Sequence, residues 1–339
     1  MTNIGFACTT LSPDSDALIK NTKIWETNKI GAIAIALDRK SSKANKLASH
    51  CIPFENQPQS RYERLCPWDS YSRKNIAFIA LKREGVSHIF ETDDDNELMF
   101  DGKQLLDLFD GSFNSLDVCK KSSSNNIFKD IYDDMATNIW ARGFPIEWLD
   151  SDDRFFRKSG SLKECNGVGV VQFLVDGNPD VDAILRLVHG NQIALKANEN
   201  HLPIVIYDSY HPFNSQATLW QKEEFPLMYL PSSCEFRMTD IWRGYIAQNA
   251  LYAKHKCVAF SSSIVYQDRN QHVISSDFFG EHKGYLQSKQ VIQALAGLEL
   301  NKELSYSSIL RLSYEALVGI GIFDKSELVL LDAWLEDIQ

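Results

Sequence analysis

Two apolar runs, Gly31 to Leu37 and Ser87 to Thr92, each stop at an aspartate, and a helix-periodic stretch lies between them. The first run is apolar and β-branched and ends at Asp38; the second reads as a buried strand and ends at Asp93. Tyr71 to Glu84 carries Ile76, Ile79 and Ala80 on one helical face. A short strand, Ile4 to Cys8, and a helix over Asp14 to Asn28 that begins at Ser12-Pro13 come first in the chain. An irregular stretch rich in Pro, Gln and Ser, from about Ser49 to Trp68, separates the second strand from the second helix. This βαβαβ order predicts an α/β fold with a Rossmann-like, mostly parallel sheet flanked by helices. Sheets of that kind take ligands beyond the carboxyl ends of their strands, where Asp38 and Asp93 both stand.

The second of those ends is an acidic triplet, Asp93-Asp94-Asp95. Alternate side chains of an extended chain leave on the same side, so the carboxylates of Asp93 and Asp95 are spaced to grip one divalent cation. Such a cation keeps open positions, and diphosphate oxygens are the ligands a hard metal takes up there. The triplet points to an enzyme that handles a nucleotide diphosphate through Mg²⁺ or Mn²⁺. The same residues also suit a solvated turn, because an Asp side chain bonds its local backbone.

Further along, Lys121 to Asn126 reads as a polar loop, Val168 to Val175 as a strand, and Asp180 to Val188 as a helix capped by Asn178-Pro179. Leu202 to Tyr207 is another strand and Thr239 to Lys254 another helix. From Asp277 the chain reads as wholly helical, and Leu328, Leu331, Leu335 and Ile338 fall on one face, as for a helix packed on a core. The 339 residues suit one large domain or a core domain with a helical appendage, divided here as 1–275 and 276–339. A formal charge of −10 with no compensating Lys/Arg cluster argues against nucleic acid as a partner. Seven scattered cysteines without a C-x-x-C pair predict neither a simple zinc site nor a disulfide framework, which suits a reducing compartment. With no signal-like segment and no apolar run long enough for an integral membrane span, the expectation is a soluble, cytoplasmic protein.

Three segments besides the triplet carry chemistry. Arg73-Lys74-Asn75 opens the helix that precedes it, and a helix N-terminus with cations is a place for an anion or, equally, two solvated basic residues. Within Trp140 to Trp148, Gly143 and Pro145 fix a turn that presents Arg142, suited to bidentate phosphate contact or to packing against tryptophan. Asp240 lies at the start of a helix, where a carboxylate caps the first turn or, facing a cleft, serves as general base for an attacking hydroxyl. Cys234 has no evident base partner and is not read as a nucleophile. His211 and His272, in loops after strands, are weak candidates for a metal ligand, and the chain contains neither G-x-G-x-x-G nor a P-loop.

Four segments in order resemble the reversibly glycosylated polypeptides, which include the plant UDP-arabinopyranose mutases. Ile89-Phe-Glu-Thr-Asp-Asp-Asp95 is similar to their acidic motif and Arg142-Gly-Phe-Pro145 to their Arg-Gly-Tyr-Pro. Leu174-Val-Asp-Gly-Asn-Pro-Asp-Val-Asp-Ala183 resembles the stretch carrying their Asn-Ile-Pro-Asp-Tyr-Asp-Ala, and Asp240-Ile-Trp-Arg-Gly244 their Asp-Met-Trp-Ala-Gly. Phe213 to Trp220 and Cys234 to Gly244 look closer to the STELLO glycosyltransferase-like proteins.

The resemblance implies a GT-A-like fold with a helical C-terminal region, and a metal-dependent glycosyltransferase with Mn²⁺ or Mg²⁺ as cofactor. Its substrates would be a nucleotide-sugar donor, a UDP-sugar first, and a carbohydrate or glycan acceptor, as in polysaccharide biosynthesis. By the same carry-over Asp93 and Asp95 hold the metal, Asp240 is the catalytic base, and Arg142 matches the arginine that mutase-like proteins glycosylate. Donor contacts are expected from Asp38 at the nucleoside, Arg73 and Lys74 at the diphosphate, and Asn75 and Asp94 beside them. The family places a histidine after an aromatic residue late in the domain; this chain reads Val265-Tyr-Gln-Asp-Arg269, with Asp268 as the substitute third ligand. Two alternatives stay open: a mutase or self-glycosylating protein acting through Arg142, and a non-catalytic scaffold. Homo-oligomerisation is open as well.

Overall fold

The computed structural model describes residues 3–57, 59–99, 116–119, 126–132, 139–149, 157–160, 166–190, 193–197, 203–206, 209–268 and 273–339. Their strands are β1 (Ile4–Thr10), β2 (Ile33–Leu37), β3 (Cys51–Ile52), β4 (His88–Thr92), β5 (Asn96–Leu98) and β6 (Leu116–Cys119). β7 (Arg157–Gly160), β8 (Val168–Gly177), β9 (Ile204–Ile206), β10 (Ala217–Gln221) and β11 (Cys257–Gln267) complete the set. Helices are α1 (Asp16–Thr27), α2 (Arg61–Leu65), α3 (Lys74–Arg83), α4 (Ile127–Ile131) and α5 (Ala183–His189). The last four are α6 (Thr239–Ala253), α7 (Ile274–Ala296), α8 (Tyr306–Gly319) and α9 (Glu327–Ile338).

One mixed sheet runs in the order β3-β2-β1-β4-β10-β8-β11-β9-β6-β7, with β5 paired to β11. β1 lies parallel to both β2 and β4, and β8 parallel to β11, while β10 enters antiparallel between β4 and β8. This is an α/β arrangement with helices flanking the sheet, parallel from β3 to β4 and mixed beyond, where β10, β5, β9 and β6 run the other way, so the expected mostly parallel order holds only for the first half. Side chains alternate between the two faces of each strand. Ile4, Phe6 and Cys8 of β1 pack with Leu18 and Trp25 of α1 on one face, while Ala7 faces the cluster built on α3 and α6. Burial on both faces explains why these strands read as near-continuous apolar runs.

The C-terminal helices join that second cluster. Ile309, Leu310, Tyr314, Leu317, Leu331 and Trp334 are buried with Phe78, Tyr229 and Tyr245. Leu331, Leu335 and Ile338 are buried as their spacing predicts, and Leu328 packs at the margin. The Lys121–Asn126 loop and His272 lie outside the described residues, apart from Asn126. The cap of α5 is the Asp182 side chain rather than Asn178-Pro179. Cys257 is disulfide-bonded, while Cys8, Cys51, Cys66 and Cys234 are free. Among the described residues no helix is long and apolar enough to cross a membrane.

Candidate active site

The carboxyl ends of β1, β2, β4, β8 and β11 open on one edge of the sheet, and a cleft of about 460 Å³ lies there. Thr10 and Leu11 reach it from β1, Asp38 from β2, the acidic triplet from β4, Asp180 from the turn after β8 and Gln267 from β11. Because β10 is antiparallel, it is its start that lies at this edge, and the preceding loop contributes Asn214 and Gln216. Arg142, Arg237 and Asp240 close the opposite side from the Ala141 turn and the beginning of α6. Among the described residues the lining holds seven aspartates and three basic side chains, Lys40, Arg142 and Arg237, which leaves it strongly acidic.

Each member of the triplet is held differently. Asp93 Oδ1 accepts from the Tyr71 hydroxyl at 2.6 Å and from Lys74 Nζ at 3.0 Å. Asp94 takes a short hydrogen bond from Thr10, and Asp95 Oδ2 accepts from Gln267 Nε2 at 2.8 Å. Burial, with Asp93 and Asp94 close by, pushes the Asp95 carboxyl up to about 6. Burial raises Asp94 as well, with the Thr10 bond opposing. Burial works against the Lys74 ammonium, yet Asp93 and Glu91 outweigh it and hold its pKa above the ordinary lysine value. The triplet is therefore crowded with negative charge, which Lys74 offsets by its ion pair with Asp93 and, more weakly, at Asp94.

Arg142 organises the other side. Its Nε lies 2.9 Å from both Asp180 oxygens, and Nη1 and Nη2 meet the two Asp240 oxygens at 3.1 and 3.0 Å. The loop that delivers it is strapped down by Arg142 N–H to Asp180 O at 3.0 Å and by Tyr245 Oη donating to Gly143 O at 2.8 Å. Gly143 has φ +83°, and a Cβ there would lie 2.4 Å from Ile241 Cγ2, so both its conformation and its contact require glycine. Burial acts against the Arg142 charge, but Asp180 and Asp240 overcome it and raise its pKa well above the usual value. Asn214 Nδ2 reaches Asp180 at 2.9 Å, and the Ser215 N–H reaches Asp240 at 3.3 Å. Arg237 pairs with Glu281 of α7 at 2.5 Å, so the C-terminal helices brace this wall.

The structure brings together Asp38, Asp93, Asp94, Asp95, Arg142 and Asp240 around one cleft. It does not bring Arg73 or Asn75 there. Arg73 is fully buried, donating to the Cys66 and Pro67 carbonyls and to Gln57, with its guanidinium 3.7 Å from the Trp68 ring centroid. Asn75 is bonded to Tyr62 and to both backbone groups of Leu230. Lys74 sits behind Asp93 instead of lining the cleft. Asp268 is exposed and off the lining, and Gln267 is the neighbour that reaches Asp95. His211 is buried among Phe128, Phe144 and Phe260, where burial drives its pKa down to about 3, and it does not line the cleft.

Sequence reasoning missed Tyr71, Asp180, Arg237 and Gln267. Asp180 carried a signal, an acidic Pro-Asp-Val-Asp run just past a strand end. Tyr71 lies three residues before Lys74, on the same helical turn. Gln267 ends a strand that was not foreseen.

Fold and cleft together define an α/β protein with a mixed sheet and an acidic cleft at the carboxyl edge of its parallel strands. Residues 237–339 match the family model described as STELLO glycosyltransferases. Over 93% of its length the chain is 23% identical to "Probable glycosyltransferase STELLO2" of Arabidopsis thaliana, and over 91% it is 21% identical to "Probable glycosyltransferase STELLO1". It spans 40% and 39% of the length of those two relatives. The structure of S. aureus TarS 1-349 in complex with UDP-GlcNAc aligns over 99% of this chain and 79% of that one, at 11% identity and a TM-score of 0.38. The family model and the two relatives lie on the STELLO side of the resemblance; its mutase side rests on the motifs alone.

Proposed function

We propose that this chain is a glycosyltransferase domain that takes a nucleotide-diphosphate sugar, a UDP-sugar first, together with Mn²⁺ or Mg²⁺, and transfers the sugar to an acceptor hydroxyl. The observation that carries the reading is the charge of the cleft: among the described residues, seven aspartates against three basic side chains. A diphosphate would be repelled from such a lining unless a cation accompanied it. Asp93 and Asp95 fit that cation, being hard oxygen donors on the cleft wall with Asp95 destabilised by its neighbours. Among the described residues no group of three or more His, Cys, Asp or Glu side chains is arranged to hold a metal, which leaves the other positions to diphosphate and water. When bound, the cation supplies charge neutralisation for the leaving diphosphate.

The chain's own residues supply the rest. Lys74 and Tyr71 fix Asp93 from behind, so its carboxylate is oriented before any ligand arrives. Arg142 holds Asp240 by both oxygens, and the Ile241 and Ser215 N–H groups donate to Oδ1 and Oδ2 in turn, so the carboxylate that would take the proton of an acceptor hydroxyl is fixed in orientation on the cleft wall. Asp38 binds the Asp69 N–H through Oδ2 at 2.8 Å, while its buried Oδ1 has no hydrogen-bond partner among the described residues, which suits an N–H of the base. The self-glycosylating alternative needs Arg142 to give up a proton. Two carboxylates hold that guanidinium in its charged form, which favours transfer to a separate acceptor.

The test is calorimetric titration of UDP into the protein with and without Mn²⁺, alongside the double variant Asp93→Ala/Asp95→Ala. Mn²⁺-dependent binding is expected in the wild type and at least about a tenfold loss in the variant, whose thermal unfolding stays cooperative. Equal binding by both proteins overturns the metal assignment. Incubation with a panel of sugar nucleotides then reads nucleotide release and intact mass together. A one-sugar mass gain that disappears in Arg142→Lys returns the arginine to the centre of the reaction.

A further inference from the structure

Phe236 begins the three-residue 3-10 turn that leads into α6, and its ring is 64% exposed while lining the cleft. The turn does not need that side chain for its own anchoring. Its neighbour Arg237 is fixed by Glu281 at 2.5 Å, and Met238 is fully buried. A single exposed apolar side chain is ordinary on a protein surface, but this ring lies in the wall of a cleft, where aromatic side chains serve as ligand contacts. Its place is specific. The ring meets Tyr71 edge-on, with centroids 5.5 Å apart and planes at 73°, and the Tyr71 hydroxyl bonds Asp93. On its other side the chain continues into Arg237 and Asp240. Phe236 thus stands between the acidic triplet and the Arg142–Asp240 pair.

We infer that Phe236 is a platform for a pyranose ring of the acceptor, stacked on its C–H face while the surrounding polar side chains hydrogen-bond its hydroxyls. The inference rests on the glycosyltransferase reading and adds to it the acceptor class and the residue that recognises it. A pyranose has the matching chemistry, an apolar face rimmed by hydroxyls, and the polar side chains of Asp180, Asn214 and Asp240 line the same cleft. A nucleobase is placed elsewhere. Asp38, with its unpartnered oxygen, ends β2, two strands from β4 and the triplet in sheet order, a separation of roughly 10 Å.

The experiment prints an array of pyranose oligosaccharides and probes it with the full chain, with and without UDP and Mn²⁺, as wild type, Phe236→Ala and Phe236→Trp. UDP binding is titrated on the same three proteins. The expected result is wild-type binding to at least one glycan, weakened about tenfold in Phe236→Ala and kept in Phe236→Trp, with UDP affinity unchanged throughout. Glycan binding that survives Phe236→Ala overturns the platform, as does a wild type that binds no glycan. A parallel loss of UDP binding in Phe236→Ala also overturns it, by assigning the ring to the base. If the wild type binds glycan through Phe236 but binds no UDP with Mn²⁺, the platform stands and the donor reading falls.

Discussion

Asp182 shows what burial does to a single carboxyl in this protein. Oδ1 caps α5 by accepting from Leu185 N–H at 2.9 Å, and Oδ2 takes the Trp140 indole N–H. Burial pushes its pKa up to about 6 against the pull of those bonds. A carboxyl with a folded pKa above its unfolded value binds its proton more tightly when folded. Its stabilising contribution is therefore full below the unfolded carboxyl range and lost as pH rises through about 6. Asp182→Asn removes the charge and keeps a capping side chain. The Tm difference, variant minus wild type, is expected to climb between about pH 4 and pH 6 and to level off above about pH 7. A difference that stays flat across that window would show that Asp182 does not titrate there. The same burial explains what residue types alone conceal. Arg73, Lys74 and Asn75 are consecutive polar residues at a helix start, each pointing about 100° from the last, so one stacks on Trp68, one reaches Asp93 and one anchors Leu230.

At the scale of elements, the first βαβαβ segment was legible because its strands are buried on both faces and its helices are periodic. β1, β2, β4, α1 and α3 fall within a few residues of their expected bounds. β10 and β11 were not foreseen. β11 carries Ser261-Ser262-Ser263 at its middle, and this polar run breaks the apolar pattern; there the register with β8 shifts, with Ser263 Oγ accepting from the Asp176 N–H at 3.0 Å and donating to Val265 O at 2.7 Å. A tertiary hydrogen bond of that kind has no local sequence signature. The site depended on these strands, since Gln267, Asn214 and Gln216 reach the cleft only through them. α6 makes a further demand that the sequence shows only as an isolated glycine. A Cβ at Gly244 would lie 2.4 Å from Phe213 O, and Gly244 sits one turn after Asp240 on the same helical face. Gly244→Ala is expected to push α6 outward, lower stability by about 1–3 kcal/mol, and loosen the Asp240–Arg142 pair. Thermal unfolding and Mn²⁺-dependent UDP titration read the two effects, and a variant with wild-type values in both would show that the helix has room to spare.

For the whole molecule, the open question is whether residues 276–339 are an appendage or a wall of the same body. The packing makes them a wall. Trp334 of α9 meets Tyr62, Phe78 and Tyr229 with ring centroids 5.9, 6.5 and 5.9 Å away, so three separate stretches of the first 275 residues close on one C-terminal ring. Glu327, fully buried, accepts from the Tyr229 hydroxyl at 2.5 Å and from the Ser233 N–H at 2.7 Å, fixing the loop that leads into the Phe236 turn. Glu281 of α7 holds Arg237 on the cleft wall. Periodicity revealed the apolar face of α9, but not which surface it covers, because the partners come from α2, α3 and the segment after β10. Removing the region would strip cover from α3 and α6 and take Glu281 away from Arg237, leaving it only the longer contact with Asp180 at 3.6 Å. A chain stopped after Ser275 is therefore expected to lose its cooperative thermal transition and to bind a hydrophobic dye, while Trp334→Ala in the full chain lowers stability by about 3–5 kcal/mol with a single transition retained. A truncated chain that melts sharply and binds UDP with Mn²⁺ as the full chain does would instead make residue 275 a true domain border.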